Sequence, residues 1–167
     1  MGTTIRSLSF MLLTCQMHCA IIDPDLIIDL PAERSLQMTF RYNEPVSVKA
    51  LGDLRESVGW NRMEKEYGNP AMNSFYHIAV YDDEKLIGYV DCVSNGVTDA
   101  YIQDLIVHPD YQGKGIGSDL MWKMISYLKE KPVPFISVLY EESLKSFYEK
   151  FGFYTMLCGQ MDASDHG

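Results

Sequence analysis

The chain carries no cysteine framework. Cys15, Cys19, Cys92 and Cys158 are its four cysteines in 167 residues, and their spacing does not repeat. Cys15 and Cys19 flank His18, but no matching pair lies downstream, which excludes the paired ligand spacing of a structural zinc site. Reduced thiols, no metal and a cytoplasmic setting are the expectation. Positive charge is also scarce: 14 basic residues stand against 23 acidic ones, for a net charge of -9. Closely spaced phosphates would repel such a surface, so nucleic acid is not an expected partner. An acidic surface favours the approach of cationic small molecules, although net acidity also serves solubility alone. Twelve glycines and seven prolines are too few for a fibrous or low-complexity chain. No run approaches the roughly 18–20 apolar residues that span a bilayer, so no membrane is expected. Leu8 to Leu13 after Arg6 imitates a secretory leader, but Gln16 and His18 break the apolar character beyond it and no small-x-small cleavage site appears.

What is present is a clean alternation of strands and helices from Met38 onward. The length suits one domain, and residues 1–37 lack clear periodicity. We read 1–37 as a poorly ordered or loosely packed extension and 38–167 as the domain, with Met38 a candidate natural start. Met38–Tyr42 predicts a strand. Val48, Leu51, Leu54, Arg55 and Val58 recur at helical spacing before Gly59, and 62–67 predicts a second short helix. Residues 75–81 and 86–93 predict two strands joined by a turn at Asp82–Lys85. Residues 100–107 form a nearly continuous apolar run, as in a strand covered on both faces. Ile116, Leu120, Met124 and Leu128 stripe a long helix that ends before Pro132, and 133–139 predicts another buried strand. Leu144, Phe147, Tyr148 and Phe151 mark a last helix ended by Gly152, with 153–161 supplying one or two closing strands.

The sharpest signal is His108-Pro109-Asp110-Tyr111-Gln112-Gly113-Lys114-Gly115-Ile116-Gly117-Ser118. A strand runs into a glycine-rich turn and then into the long helix. The first amides of a helix lack internal partners, the dipole adds partial positive charge, and glycines allow close backbone approach. Together they suit a diphosphate. A Walker loop does not fit, because Gly115 comes after Lys114 where serine or threonine is needed. A dinucleotide fingerprint does not fit either, because Ser118 takes the place of its last glycine.

The run is similar to the acetyl-CoA signature of the GNAT acetyltransferase superfamily, Arg/Gln-x-x-Gly-x-Gly/Ala, with Gln112, Gly115 and Gly117 at the defining positions. Ser146-Phe147-Tyr148-Glu149-Lys150-Phe151-Gly152-Phe153 resembles the family's second signature, at a distance that leaves room for one helix and one strand. The resemblance covers residues 38 to about 158. It implies an α/β (α+β) fold: a central mixed, mostly antiparallel twisted sheet of about six to seven strands, flanked by about four helices. It further implies transfer of an acetyl group from acetyl-CoA to a primary amine, by direct attack in a ternary complex. A small molecule or polyamine is the favoured acceptor over a protein, and the chain could form a homodimer. Leu105, Ile106 and Val107 would engage the pantetheine arm and thioester. Gln112, Gly113, Lys114, Gly115, Ile116, Gly117 and Ser118 would hold the diphosphate, and Tyr148 would protonate the leaving thiolate. One position departs from the pattern: Glu141 stands where many relatives have an asparagine that holds the pantetheine. The base stays open, with Asp104 and His108 as neighbours of the strand end. Trp60, Tyr76 and Tyr89 could line an acceptor pocket or merely pack. A non-catalytic acyl-CoA sensor of the same fold is the alternative.

Overall fold

The computed structural model describes residues 38–161. They belong to the second of the two units into which the chain divides, Ser35–Gly167. The expectation for residues 1–37 lies outside the described residues. Five strands form one sheet in the order β1-β2-β3-β4-β5. They are β1 (Met38–Tyr42), β2 (Tyr76–Asp82), β3 (Lys85–Ser94), β4 (Asp99–Val107) and β5 (Phe135–Val138). The first four pair antiparallel and β5 joins β4 in parallel.

Local chemistry explains the boundaries. Asp83, at φ +51, turns the hairpin between β2 and β3. Between β3 and β4, Asn95 Oδ1 accepts the amides of Val97 and Thr98, both at 2.9 Å; side chains of this kind replace a backbone turn. Helix α1 (Val48–Ser57) starts where Ser47 Oγ accepts from the Ala50 amide, and it ends before Gly59 at φ +83. Helices α2 (Glu64–Tyr67), α3 (Ile116–Lys129) and α4 (Lys145–Glu149) complete the set.

Each face of the sheet is covered. On one face α1 buries Leu51 and Leu54 against Ala79, Tyr81, Leu86, Tyr89 and Ile106. On the other, α3 buries Ile116, Leu120, Met121, Met124, Ile125 and Leu128 against Ile78, Val80, Val90 and Ile102. Full burial of such a side chain stabilises by roughly 1.5–3 kcal/mol. Helix α3 lies close over Gly88, where a Cβ would stand 3.3 Å from Ile116 and Leu120. A larger residue would lift the helix and the turn before it.

The sheet has five strands where six to seven were expected. After Phe153, which packs on the core, the chain continues to Met161 without strand pairing among the described residues. Tyr154, Met156, Leu157 and Met161 are exposed. Their apolar side chains have no second layer to cover them, and the neighbouring ladder, β5, is four residues long.

Candidate functional site

Two backbone features meet at the C-terminal end of β4. The first is the turn into α3. The amide of His108 bonds to the Ile87 carbonyl at 2.8 Å, and Pro109–Tyr111 make one 3-10 turn. The side-chain amide of Gln112 donates back to the Val107 carbonyl at 2.9 Å, closing the loop on the strand. Gly113 and Gly115 come next at φ +73 and +87, and Gly115 is the helix cap, with no side-chain cap bond. The first helical bond is Asp119 N–H to Gly115 carbonyl, at 3.0 Å. The amides of Ile116, Gly117 and Ser118 therefore have no acceptor inside the helix. A Cβ on Gly113 or Gly115 would meet nothing within 4 Å, so the turn is an open shelf. Ile116 is 1% exposed and offers its backbone only. Lys114 Nζ folds back to the Asp110 carbonyl at 3.0 Å and lies 5.0 Å from the Tyr111 ring centre.

The second feature is a wedge. Strand β5 accompanies β4 from Asp99 to Ile102 and its pairing ends at Val138. Residues 103–107 of β4 keep only β3 beside them, so the edge of Leu105, Ile106 and Val107 faces the gap. The same stretch bulges: Gln103 pairs with Asp91 and Ile106 with Tyr89, leaving Asp104 and Leu105 opposite Val90 alone. Asp104 takes φ +50, a conformation that costs a residue with a side chain on the order of 1–3 kcal/mol. Arg55 and Tyr67 hold it there. The Arg55 guanidinium pairs with Oδ1 at 2.9 Å and the Tyr67 hydroxyl donates to Oδ2.

Tyr148 of α4 packs beside the segment that follows β5. It is buried, stacks on Tyr140 at 4.5 Å between ring centres, and meets Phe147 and Phe153 edge-on. Burial, then the neighbouring Tyr101 and Tyr140, push its phenol above the ordinary value of 10.0. Tyr101 is paired with Ser137 across the two strands just before they part. The Tyr140 hydroxyl is buried without a partner, an orphan donor beside the opening. Amides without helical acceptors, a strand edge beyond its last β5 partner and an orphan hydroxyl are thus polar groups left available around β4 and the segments that follow it. Glu141 is exposed and starts the 3-10 turn before α4. A cleft of about 1050 Å³ lies along β5 and the segment after α4; it reaches Tyr101 and Tyr140 but not the glycine turn. The amides without helical acceptors lie on the open shelf, outside that cleft.

The two candidate bases are occupied. Asp104 is held by Arg55, and His108 Nδ1 accepts the Asp110 amide at 3.3 Å as the cap of the 3-10 turn. Tyr76 stacks on Tyr127 at 3.5 Å and Tyr89 is buried under α1, so both pack. Trp60 is 43% exposed, with the Arg55 guanidinium 5.2 Å from its ring centre. Arg62 binds Asp53, Glu56 and Glu64 beside it. Sequence reasoning missed Asp91, the only fully buried carboxylate among the described residues. The signal was its place inside the otherwise apolar run of β3.

A family model described as the acetyltransferase (GNAT) family matches residues 40–153. The chain is 31% identical over 116 residues to the uncharacterized N-acetyltransferase ycf52 of Pyropia yezoensis, covering 66% of this chain and 67% of that protein. It is also 31% identical over 123 residues to the ycf52-like uncharacterized N-acetyltransferase of Prochlorococcus marinus, covering 70% and 68%. The chain thus spans about two thirds of the length of these relatives. Among solved structures, a GNAT family acetyltransferase of Streptococcus pneumoniae superposes with a TM-score of 0.62 at 28% identity, covering 78% of this chain and 99% of that one.

Proposed function

The chain belongs to the GNAT family of acetyltransferases, and on that premise we propose that it acetylates a primary amine by direct attack within a ternary complex. The family's co-substrate is acetyl-CoA, which supplies the activated acetyl thioester. In this reading the amides from Gly113 to Ser118 hold the diphosphate, with Gln112 fixing the turn and Lys114 adding charge at its edge. The bare edge of Leu105, Ile106 and Val107 receives the pantetheine arm and aims N–H groups at the thioester oxygen. Preorganised donors of this kind contribute about 3–4 kcal/mol each where removed. Tyr148 gives its phenolic proton to the leaving sulfur.

The observation that carries the reading is the coincidence of the wedge with the free amides. The strand whose edge is bare is the one that runs into the uncapped helix. A helix start or a short neighbouring strand would be ordinary alone. The net charge of -9 favours a cationic acceptor, so a small amine or polyamine is placed ahead of a protein.

The test is thiol release from acetyl-CoA with a panel of amines, from monoamines to polyamines and a lysine peptide. Amine-dependent release supports transfer. Tight binding of coenzyme A without release for any amine would favour a non-catalytic sensor instead.

A further inference from the structure

On the α1 side of the sheet lies a carboxylate that the reading above leaves without a task. Asp91 sits in the middle of β3 and is 1% exposed. The register places it between His77 of β2 and Gln103 of β4, on the same face as Tyr89. The Ser74 hydroxyl donates to Oδ2 at 2.8 Å, whereas Oδ1 is buried without a well-formed hydrogen bond, its neighbouring donors being Gln103 and Tyr89. Buried polar atoms in folded proteins are almost always paired, so a buried carboxylate oxygen short of a partner calls for an explanation.

The position is as informative as the burial. Gln103 is the first residue of β4 beyond the end of the β5 pairing, so Asp91 flanks the lip of the wedge. Its charge acts on Tyr101, and Tyr101 in turn acts on Tyr148. Ser74 closes the connection from α2 to β2 and is half-buried, so its hydroxyl joins the surface to the buried carboxylate. The titratable groups that interact with Asp91 are His77 on β2, Tyr89 and, from the opposite face, Cys92 on β3, and Tyr101 on β4. Of the groups on α1 and α2, Arg55 and Tyr67 are engaged by Asp104.

We propose that Ser74 and Asp91 form the proton-accepting relay for the incoming amine. The inference rests on the acetyl-transfer reading. The acceptor arrives as an ammonium ion; Ser74 Oγ takes one proton from its nitrogen while passing its own to Asp91 Oδ2. The freed nitrogen lone pair bonds to the thioester carbonyl carbon, and the carbon–sulfur bond breaks with its electron pair on sulfur. Sulfur takes the Tyr148 proton, and the second nitrogen proton restores Tyr148 through solvent. Ammonium and thioester become amide, thiol and one proton, which Asp91 releases. Burial holds the Asp91 carboxyl above the ordinary carboxylate range, opposed by Ser74, Gln103, His77 and Tyr89, and so nearer the pH at which a base exchanges protons usefully.

The experiment is steady-state thiol release with acetyl-CoA and either spermidine or 2-phenylethylamine, measured across pH. Asp91→Asn should lower kcat by about 100-fold or more and lose the acidic arm of the profile, with the KM for acetyl-CoA unchanged. Ser74→Ala should lower kcat by about tenfold and move the acidic arm upward, because the carboxylate has lost its donor. The double variant should be no slower than Asp91→Asn, and Asp91→Glu should recover part of the rate. His77→Asn should keep the acidic arm. Coenzyme A titration reports whether each variant is folded; if Asp91→Asn is not, the Ser74→Ala profile decides. Wild-type kcat and acidic arm in Ser74→Ala, or in a folded Asp91→Asn, would overturn the relay alone. A wild type that releases no thiol with either amine would overturn the transfer reading, and the relay with it.

Discussion

Arg55 of α1 and Asp104 of β4 meet across the packed face of the sheet, Nη1 to Oδ1 at 2.9 Å, with side chains 8% and 19% exposed. Arg55 is held in turn by the Asn61 carbonyl at 2.7 Å and the Tyr67 hydroxyl at 3.2 Å. The pair anchors a left-handed residue at the point where β4 bulges, two residues beyond the last β5 partner before the gap. The bulge sets the edge beyond it, so α1 reaches the candidate site through this contact.

Replacing Arg55 by methionine leaves the Asp104 carboxylate short of its cation under α1. Breaking a buried pair costs roughly 3–5 kcal/mol, and the partial exposure of Asp104 reduces this to about 2–3 kcal/mol. Urea unfolding of Arg55→Met should show that loss. The KM for acetyl-CoA should rise as the bulge relaxes.

Gly115 at the helix cap and Gly117 in the first turn of α3 should differ in their effect on stability. Gly115→Ala has space for its Cβ but must keep φ near +87, which costs about 1–2 kcal/mol. Its methyl also stands beside the free amides, so coenzyme A affinity should fall tenfold or more. Gly117→Ala would place its Cβ 3.6 Å from Val107 and 3.8 Å from Phe147, ordinary contact distances. It should unfold like the wild type, and thermal melts of the two variants check the contrast.

Tyr148→Phe keeps the stacking on Tyr140 and removes only the acid. The expected result is a kcat lower by about 100-fold, with coenzyme A affinity unchanged, measured by thiol release. Because burial raises this phenol, it stays protonated through neutral pH and beyond 10.0. The wild-type rate should therefore show no alkaline fall from Tyr148 below that value.

Asp91 should leave a signature in stability as well. Its folded-state pKa is raised above the ordinary 3.8, first by burial. The folded state then binds more protons than the unfolded one between 3.8 and the raised value, so stability falls as pH rises through that window. Asp91→Asn removes this dependence, and its unfolding midpoint at neutral pH should match or exceed that of the wild type. Denaturant titrations at several pH values measure the difference in slope.

The sequence made local features legible. The stripe of Ile116, Leu120, Met124 and Leu128 marked α3, which ends at Lys129, before Pro132, and the glycine turn before it was visible from Gln112, Gly115 and Gly117. Met38–Tyr42 folds as the strand its pattern indicates. Non-local partners were hidden. Arg55 read as one more residue at helical spacing, because its partner Asp104 lies on a strand that the chain reaches much later. The bulge at Asp104 was invisible inside a run with continuous strand character. The expected closing strands did not form among the described residues, because composition reports strand tendency but not whether a ladder and a covering layer await it. Asp91 gave a signal, a lone carboxylate in an apolar strand, which only burial made meaningful.

Calorimetric titration of the purified chain with coenzyme A, in parallel with pantetheine, tests the central claim most directly. One coenzyme molecule should bind per chain, at least tenfold more tightly than pantetheine, because the diphosphate meets the amides at the start of α3. No binding of coenzyme A, or equal affinity for the two, would contradict it.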